Sequence, residues 1–205
     1  MPPATWEASA ITPPNPEAYA VHQKQSFAGK RYASVAGMPY FYPKHLPDFP
    51  YRGKLSYSLE FTTEKRAPLL KDDAAIDLVV QQLLRAGSER GFVLVTYCLM
   101  PDHGHLVVDG ERDESDCLAF IKLAKQYSAY YFNQAFGHRL WQRYGYERFI
   151  RDDIERALTI RYLLANPVKV GLVRDPRDYH GLGSQRYTVA QLMEMSEYSR
   201  AHVLG

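Results

Sequence analysis

The stretch "YCLMPDHGHLVV", residues 97–108, contains two apolar runs separated by a Pro-Asp pair and two histidines. Each run has the composition of a buried strand and the proline marks a turn, so the stretch predicts two neighbouring strands. Side chains two residues apart in a strand point to the same face, which places His103 beside His105. Because imidazole is a common metal ligand, the pair predicts either half of a metal site or a polar strand end with hydrogen-bonded histidines.

The segments around this stretch alternate between strand and helix patterns. "KLSYSLEFTT", residues 54–63, alternates like a half-buried strand, and an amphipathic helix pattern follows it from Asp72. After the two central strands come a long helix stopped by Gly137, an aromatic and basic segment that is strand or irregular, and a third helix closed by Pro167. This order predicts an α+β fold of the ferredoxin-like or RRM-like split β-α-β type. We expect an antiparallel sheet with helices on one side and an added C-terminal helix.

The chain divides by composition into three parts. Residues 1–52 hold nine of the 13 prolines, and such a segment is not expected to bury a core of its own, so we predict an irregular extension. Residues 53–183 contain the strand and helix patterns and are expected to form the functional domain. Residues 184–205 are expected to form a tail with a short helix.

Charge and cysteine content narrow the possible classes of protein. The 205 residues include 25 Lys and Arg against 23 Asp and Glu, but residues 120–180 alone carry 11 basic against six acidic residues. A local basic excess is typical of phosphate-binding surfaces, and also of solvated helix faces. The two cysteines form no C-x-x-C pair, and the sequence has neither a secretion signal nor a membrane-length apolar run. We therefore expect a soluble, cytoplasmic protein with no membrane partner.

The third helix pattern offers a partner for the histidine pair. Tyr162 and Asn166 are four residues apart, so they share one helix face, and the asparagine can present an amide oxygen. The spacing leaves a second interpretation open, in which Tyr162 packs in the core and Asn166 ends the helix before Pro167.

The histidine block and the block "IRYLLANPVKVGLV" together resemble the REP-associated tyrosine transposases, which belong to the single-tyrosine HUH superfamily. "QYSAYYFN" and "LWQRYGYERFIRDD" resemble further blocks of that family, in the same order, and the resemblance covers about residues 54–183. It implies that His103 and His105 bind a metal ion, that Tyr162 is the nucleophile and that Asn166 is the third ligand.

Two residues depart from the family's pattern. Gly104 stands where the family usually has a hydrophobic residue, and we expect the loss to weaken the strand rather than the metal site. Asp102 stands where relatives often have asparagine, and it adds a negative charge beside the histidines.

The resemblance implies a DNA strand transferase that cuts one strand and keeps the 5′-phosphate on its tyrosine. A phenol is a weak nucleophile at neutral pH because its pKa is about 10, so a divalent ion, Mg²⁺ or Mn²⁺, has to polarise the phosphate. The implied substrate is single-stranded DNA with hairpin-forming repeats, bound by a monomer or a homodimer. We expect phosphate contacts from six basic residues: Lys122, Lys125, Arg143, Arg148, Arg161 and Lys169.

Two other functions remain open from the residues alone. The chain could be a DNA-binding protein that keeps the fold without useful cleavage, or a metal hydrolase of small substrates in which Tyr162 orients water. Spacing also makes Tyr127 and Tyr131 competitors for the nucleophile, with Tyr130 between them, and only the family resemblance selects Tyr162.

Overall fold

The structure of the protein, a computed structural model, describes residues 51–203, without the side chains of Tyr144 and of residues 197–203. These residues belong to one of the chain's two compact units, Tyr42–Gly205. The predicted irregular extension therefore lies outside the described residues, apart from Tyr51 and Arg52. The ring of Tyr51 is buried and stacks on Tyr57, and the Arg52 guanidinium forms a 3.2 Å ion pair with Asp116.

Five strands and four helices follow one another along the described residues. The strands are β1 (Ser56–Thr63), β2 (Phe92–Met100), β3 (His103–Gly110), β4 (Trp141–Ile150) and β5 (Leu182–Gly183). The helices are α1 (Asp73–Arg90), α2 (Cys117–Phe136), α3 (Asp153–Lys169) and α4 (Val189–Val203), and short 3-10 turns cover Glu64–Arg66 and Pro176–Asp178. The aromatic and basic segment is strand β4, and the tail helix α4 is longer than predicted, at 15 residues.

The strands form one antiparallel sheet in the order β4-β1-β3-β2-β5. Helices α1 and α2 pack on one face against the apolar side chains of β1 and the inward residues of β2. Helix α3 packs on the other face, against β2 and part of β3, and α4 packs against α3. The predicted antiparallel α+β fold is confirmed, with α3 as the helix added on the second face.

Strand β2 is apolar on both faces because helices cover it on both sides. Leu94 and Leu99 contribute to the core beneath α1 and α2, whereas Val93 and Val95 contribute to the core beneath α3. No helix of the described residues covers most of β1 and β4 on the α3 side, where their alternate residues are polar. On this side of the sheet α3 covers β2 and part of β3, and we call the side that it covers only in part the half-open face.

Helix α1 begins after Asp72, as predicted, and aspartate side chains cap the starts of the next two helices. Asp116 caps α2 by accepting a 2.9 Å hydrogen bond from the Ala119 N–H, and Asp152 caps α3 through the Glu155 N–H at 2.7 Å. Gly137 ends α2 in the left-handed region, with φ of 72°, as a glycine there is expected to do.

The predicted end of α3 at Pro167 is wrong, because the helix continues to Lys169 with the proline inside its last turn. Pro167 removes the N–H that would bond to the carbonyl four residues back, and its ring crowds that carbonyl, but the backbone bonds beyond it still form. The N–H groups of Val170 and Leu172 still bond to the carbonyls of Asn166 and Pro167, at 3.3 and 2.9 Å. Asn166 therefore lies within the helix rather than at its end.

Gly104 lies directly opposite Leu99 on β2. A Cβ atom on Gly104 would approach Leu99 Cδ2 to 2.7 Å, so the leucine side chain fills the space that a side chain at position 104 would need. Leu99 is 1% exposed, which shows that the core is closed at this point. The side chain of Leu99 on β2 thus fills the space that the missing side chain of Gly104 leaves.

Both cysteines lie within the described residues and both are unpaired and buried. Burial raises the pKa of the Cys98 thiol to about 12 and also raises that of Cys117, where Glu147 and Asp116 add to the effect. Across residues 51–203, none of the helices combines the length and the apolar character that crossing a bilayer requires.

Candidate active site

His103 and His105 lie side by side on the face of β3 that is turned toward α3. Their ring centroids are 4.8 Å apart, and the next residue on that face, Val107, packs in the core beneath α3. The i, i+2 spacing therefore places the two imidazoles as the strand period predicts.

Tyr162 on α3 meets this pair from the helix layer. Its ring lies edge-on to the ring of His105, with centroids 5.6 Å apart and planes at 78°. The side chain is 49% exposed although it stands beside a buried histidine, so it is open to a large substrate. The Lys169 ammonium lies 5.2 Å from the centre of the tyrosine ring, at the end of the same helix.

Asn166 lies one turn beyond Tyr162 on the same helix face and is 8% exposed. Its Nδ2 atom is buried and makes no hydrogen bond with the described residues. An unpaired buried amide costs about 1–3 kcal/mol. Because the two ends of an amide are nearly the same size, rotation would put Oδ1 in this unpaired position, where it could serve as a ligand.

A metal site on this histidine pair needs at least one further ligand, and the question is which side chain supplies it. Among the side chains that the structure describes, which end at Ser196, no three of His, Cys, Asp or Glu are grouped so that they could hold a metal ion. The amide of Asn166 is a donor outside those four residue types. Two imidazoles and an amide oxygen form a mixed nitrogen and oxygen set, which suits Mn²⁺ or Mg²⁺ better than structural zinc.

Burial keeps His105 in the neutral form that a metal ligand requires. Desolvation, together with the nearby charge of His103, lowers the pKa of His105 from 6.5 to about 4. The imidazole therefore carries no proton on one of its nitrogens at neutral pH.

His103 is held by a carboxylate instead. Its Nδ1 lies 2.6 Å from Asp102 Oδ1, and Asp102 Oδ2 accepts a 3.2 Å bond from Arg66. Burial works to raise the pKa of Asp102, but the hydrogen bonds and charges of His103 and Arg66 outweigh it, and the pKa is lowered.

Glu60 belongs to the site as well, and the sequence patterns did not single it out. It stands directly opposite His105 on β1, and its Oε2 lies 3.9 Å from His105 Nδ1. Its only signal in the sequence is an acidic residue at a polar position of the alternating pattern of residues 54–63. Finding it requires the register of β1 against β3, which the pattern does not contain.

The same register extends the site across the half-open face. Tyr146 on β4 pairs with Glu60 on β1, which pairs with His105 on β3, so the three side chains form a row. Arg148 stands in the next row, opposite Ser58. Tyr146 is 45% exposed, and Arg148 forms a 3.1 Å ion pair with Glu155.

An ion pair fixes the position of α3 over the sheet. Both guanidinium nitrogens of Arg156 bond to the carboxylate of Asp109 on β3, at 2.8 and 2.6 Å, and one also bonds to Ser56 at 2.9 Å. The pair is about four-fifths buried on each side. It ties the tyrosine helix to the strand that carries the histidines of the same chain.

The six basic residues that were expected to contact phosphates do not all lie on the same face of the sheet. Arg148 on β4 and Lys169 on α3 lie on the histidine face, and Arg161 precedes Tyr162 on α3. Lys122 and Lys125 lie on α2, which packs on the opposite face of the sheet.

Arg143 is exposed on the edge strand β4, and its carbonyl bonds to Lys125, another of the six basic residues. The ammonium group of Lys125 donates to the carbonyls of Gln142 and Arg143, at 2.7 and 3.2 Å. Burial, with a smaller effect from Arg139, lowers the pKa of Lys125 to about 8. A contact between Lys125 and a phosphate stays a prediction, because in the structure its ammonium group bonds to backbone carbonyls of the protein.

The competing tyrosines stand apart from the histidines. The hydroxyl of Tyr127 donates to Glu89 at 3.0 Å, and that of Tyr131 accepts from Arg85 at 3.3 Å, so both are held against α1. The guanidinium of Arg85 also lies 4.4 Å above the Tyr127 ring. Tyr130 is exposed on the same helix.

Comparison with known proteins places this arrangement in a family. Residues 52–157 match the family described as IS200-like transposases, a stretch that includes both histidines and ends five residues before Tyr162. A protein of Haemophilus influenzae, whose name assigns it to the REP-associated tyrosine transposases, is 32% identical over 99 residues. That alignment covers 43% of this chain, and the chain spans only 56% of the relative's length.

The fold is similar to that of a solved structure. A REP-associated tyrosine transposase bound to a REP hairpin superposes with a TM-score of 0.54 at 19% identity. The superposition covers 72% of this chain and 82% of the other. At this identity the likeness concerns the fold.

Proposed function

Because the chain belongs to the IS200-like transposase family, we propose that it cuts and rejoins one DNA strand through a covalent bond between Tyr162 and a 5′-phosphate. The observation that carries this proposal is the position of the Tyr162 ring, 5.6 Å from that of His105 on the face that also holds His103. Of the four tyrosines considered as nucleophiles, it is the one beside the histidine pair.

In the proposed reaction Tyr162 is the nucleophile and Lys169 supplies positive charge. Attack by the Tyr162 oxygen forms a Tyr–O–P bond and breaks the bond between the phosphorus and the 3′-oxygen of the upstream nucleotide. The phenol loses its proton and the departing oxygen takes one up, so the upstream strand leaves with a 3′-hydroxyl. The phosphotyrosine conserves the phosphodiester energy, so a 3′-hydroxyl can attack it and rejoin a strand. Lys169 supplies positive charge beside the tyrosine ring, where the negatively charged phosphate has to enter.

His103, His105 and Asn166 are the proposed metal-binding residues. A divalent ion, Mn²⁺ or Mg²⁺, would supply polarisation of the non-bridging phosphate oxygens when bound there. The lowered pKa of His105 suits this role because it leaves a ring nitrogen unprotonated, and rotation of the Asn166 amide would put Oδ1 where Nδ2 has no partner.

The proposed substrate is single-stranded DNA next to a hairpin-forming repeat. The structural relative was solved with a REP hairpin, and we place the DNA of this chain on its half-open face. Tyr146 can stack on an unpaired base, and Arg148 and Lys169 can contact phosphates on either side of the row that ends at His105. In this proposal the DNA strand crosses the half-open face along that row and reaches Tyr162.

We also propose that the protein works in the cytoplasm and that one chain holds a complete site. The two unpaired, buried thiols suit a reducing compartment. Tyr162 lies against a histidine of its own chain, so a monomer would suffice for cleavage, whether or not the protein forms homodimers.

The test is to incubate the protein with a labelled hairpin oligonucleotide that carries a single-stranded 5′ or 3′ flank, with and without Mn²⁺. A covalent adduct that resists denaturation, mapped by peptide sequencing to Tyr162, is the expected result. DNA binding without any adduct would instead favour a binding protein of the same fold. Absence of DNA binding, with hydrolysis of small phosphate esters, would favour the hydrolase.

A further inference from the structure

Asp102 uses both of its carboxylate oxygens beside the histidine pair. Oδ1 lies 2.6 Å from Nδ1 of His103, and Oδ2 accepts a 3.2 Å bond from Nη1 of Arg66. The residue occupies the turn between β2 and β3, immediately before the first histidine. The sequence singled it out because the family that the chain resembles often has asparagine here.

An ionised carboxylate can only accept hydrogen bonds, so Nδ1 of His103 must be the donor. A neutral imidazole with its proton on Nδ1 has its lone pair on Nε2, at the other side of the ring. We propose that Asp102 is a positioning residue, which holds His103 in the Nδ1–H tautomer and fixes its ring so that Nε2 is free to bind a cation. The identity of that cation rests on the proposed function; the tautomer does not.

The turn that carries Asp102 is held rigidly against the end of β1. The N–H of Thr63 donates to the Asp102 carbonyl at 3.0 Å, and the N–H of Leu70 donates to the Pro101 carbonyl at 3.0 Å. The intervening turn includes Lys65 and Arg66, both with φ near 54°. Non-glycine residues adopt this left-handed region at a cost, so the turn persists because the surrounding bonds hold it. Its effect is to bring Arg66 to Asp102.

The second histidine is held differently. Glu60 Oε2 lies 3.9 Å from His105 Nδ1, which is beyond hydrogen-bond distance. The His105 side chain is 10% exposed and is held by its packing, whereas that of His103 is 20% exposed and has the carboxylate instead. Of the two rings, only that of His103 therefore depends on a hydrogen bond, the one with Asp102, for its orientation.

The choice of aspartate over asparagine follows from the presence of Arg66. In the same orientation an asparagine would place its carbonyl oxygen at one of these two positions and its NH₂ group, a donor, at the other, facing either Arg66 or His103. A carboxylate satisfies both donors at once. In metal sites, such outer carboxylates typically change metal affinity by about 10–100-fold when removed.

The first test reads the tautomer in the metal-free protein. Side-chain ¹⁵N NMR at about pH 8.5, above the ordinary pKa of histidine, distinguishes a protonated from an unprotonated ring nitrogen. In the parent protein His103 should show a protonated Nδ1 and an unprotonated Nε2. Asp102→Leu should lose this preference, and Glu60→Gln, which removes a carboxylate near the other imidazole, should keep it. A parent protein with its His103 proton on Nε2 overturns the proposal.

The second test measures Mn²⁺ binding by calorimetry, without DNA. Affinity should fall about 10–100-fold in Asp102→Leu, with Asp102→Asn between that variant and the parent, because the amide keeps one acceptor. Equal affinity of the parent and Asp102→Leu overturns the proposal. If the parent binds no Mn²⁺, the proposed function fails, and the tautomer measurement still decides the role of Asp102. That measurement on the parent needs no variant, so it also covers the case in which Asp102→Leu does not fold.

Discussion

Tyr162 and His105 meet edge to face between the helix layer and the sheet, with ring centroids 5.6 Å apart. The contact joins a half-exposed residue of α3 to a buried residue of β3. It also means that a large change at Tyr162 would disturb the histidine, so its chemical role has to be tested with a small change.

Tyr162→Phe is the smallest such change, since it removes one hydroxyl and keeps the ring against His105. We expect complete loss of the covalent DNA adduct, unchanged DNA affinity and unchanged thermal stability. Tyr127→Phe is the matched control, because Tyr127 has the same helical spacing but bonds to Glu89 on the other face of the sheet. Adduct formation by Tyr162→Phe at the parental level would show that another residue is the nucleophile.

The Arg156–Asp109 ion pair leads to a prediction about which chain supplies the tyrosine. Because it ties α3 to its own β3, a mixture of His103→Ala and Tyr162→Phe proteins should form no adduct. The mixture should be assayed by denaturing electrophoresis beside the parent diluted to the same concentration. An adduct in the mixture would mean that the tyrosine helix is exchanged between two chains.

The fold and most of the candidate site were predictable because they depend on local patterns. The strand period places His103 beside His105, and Gly137 ends its helix as the sequence indicates. The end predicted at Pro167 was wrong, because a proline usually interrupts a helix, whereas this helix continues for two residues beyond it. Glu60 and Arg66 were missed because both reach the histidines through pairing between distant strands and turns.

The buried, neutral His105 should make the metal-free protein sensitive to acid. Its pKa is about 4 in the folded chain and 6.5 in the unfolded chain, so between these values only the unfolded state binds the proton. The free energy of unfolding should therefore fall as the pH falls through this window, by about 2 kcal/mol between pH 7.5 and pH 5. Urea unfolding at the two pH values measures the difference.

His105→Gln serves as the control for this pH dependence, because it has no titrating group at the position. The variant should lose the part of the slope that lies between about pH 4 and 6.5. An identical pH dependence in the parent and the variant would show that His105 is not held neutral.

Leu99 and Gly104 should be coupled in stability. Gly104→Val alone should destabilise the protein by about 1–3 kcal/mol, because its first carbon would collide with Leu99 Cδ2. Combined with Leu99→Ala, the same valine would fill part of the cavity, so the double variant should be more stable than the sum by about 1 kcal/mol or more. Strict additivity in urea unfolding would contradict the packing described for this pair.

Arg148 and Lys122 test which face of the sheet binds DNA. Arg148→Gln should lower the slope of log affinity against log salt by about one unit, because Arg148 lies beside the histidine row. Lys122→Gln removes the same charge from α2 on the opposite face and should leave the slope unchanged. Fluorescence anisotropy with one hairpin oligonucleotide at several salt concentrations measures both. An equal loss in the two variants would place DNA around both faces.

The burial of both cysteines gives the protein a practical property. Thiolates are the reactive species toward maleimides, and the burial that raises the pKa of Cys98 and Cys117 also shields them from reagents. A cysteine introduced at an exposed position, for example Arg143→Cys or Lys122→Cys, would then be the single site that takes up a fluorophore. Distances from such a label to a dye on the oligonucleotide would trace the path of the strand over the protein without any background from the native thiols.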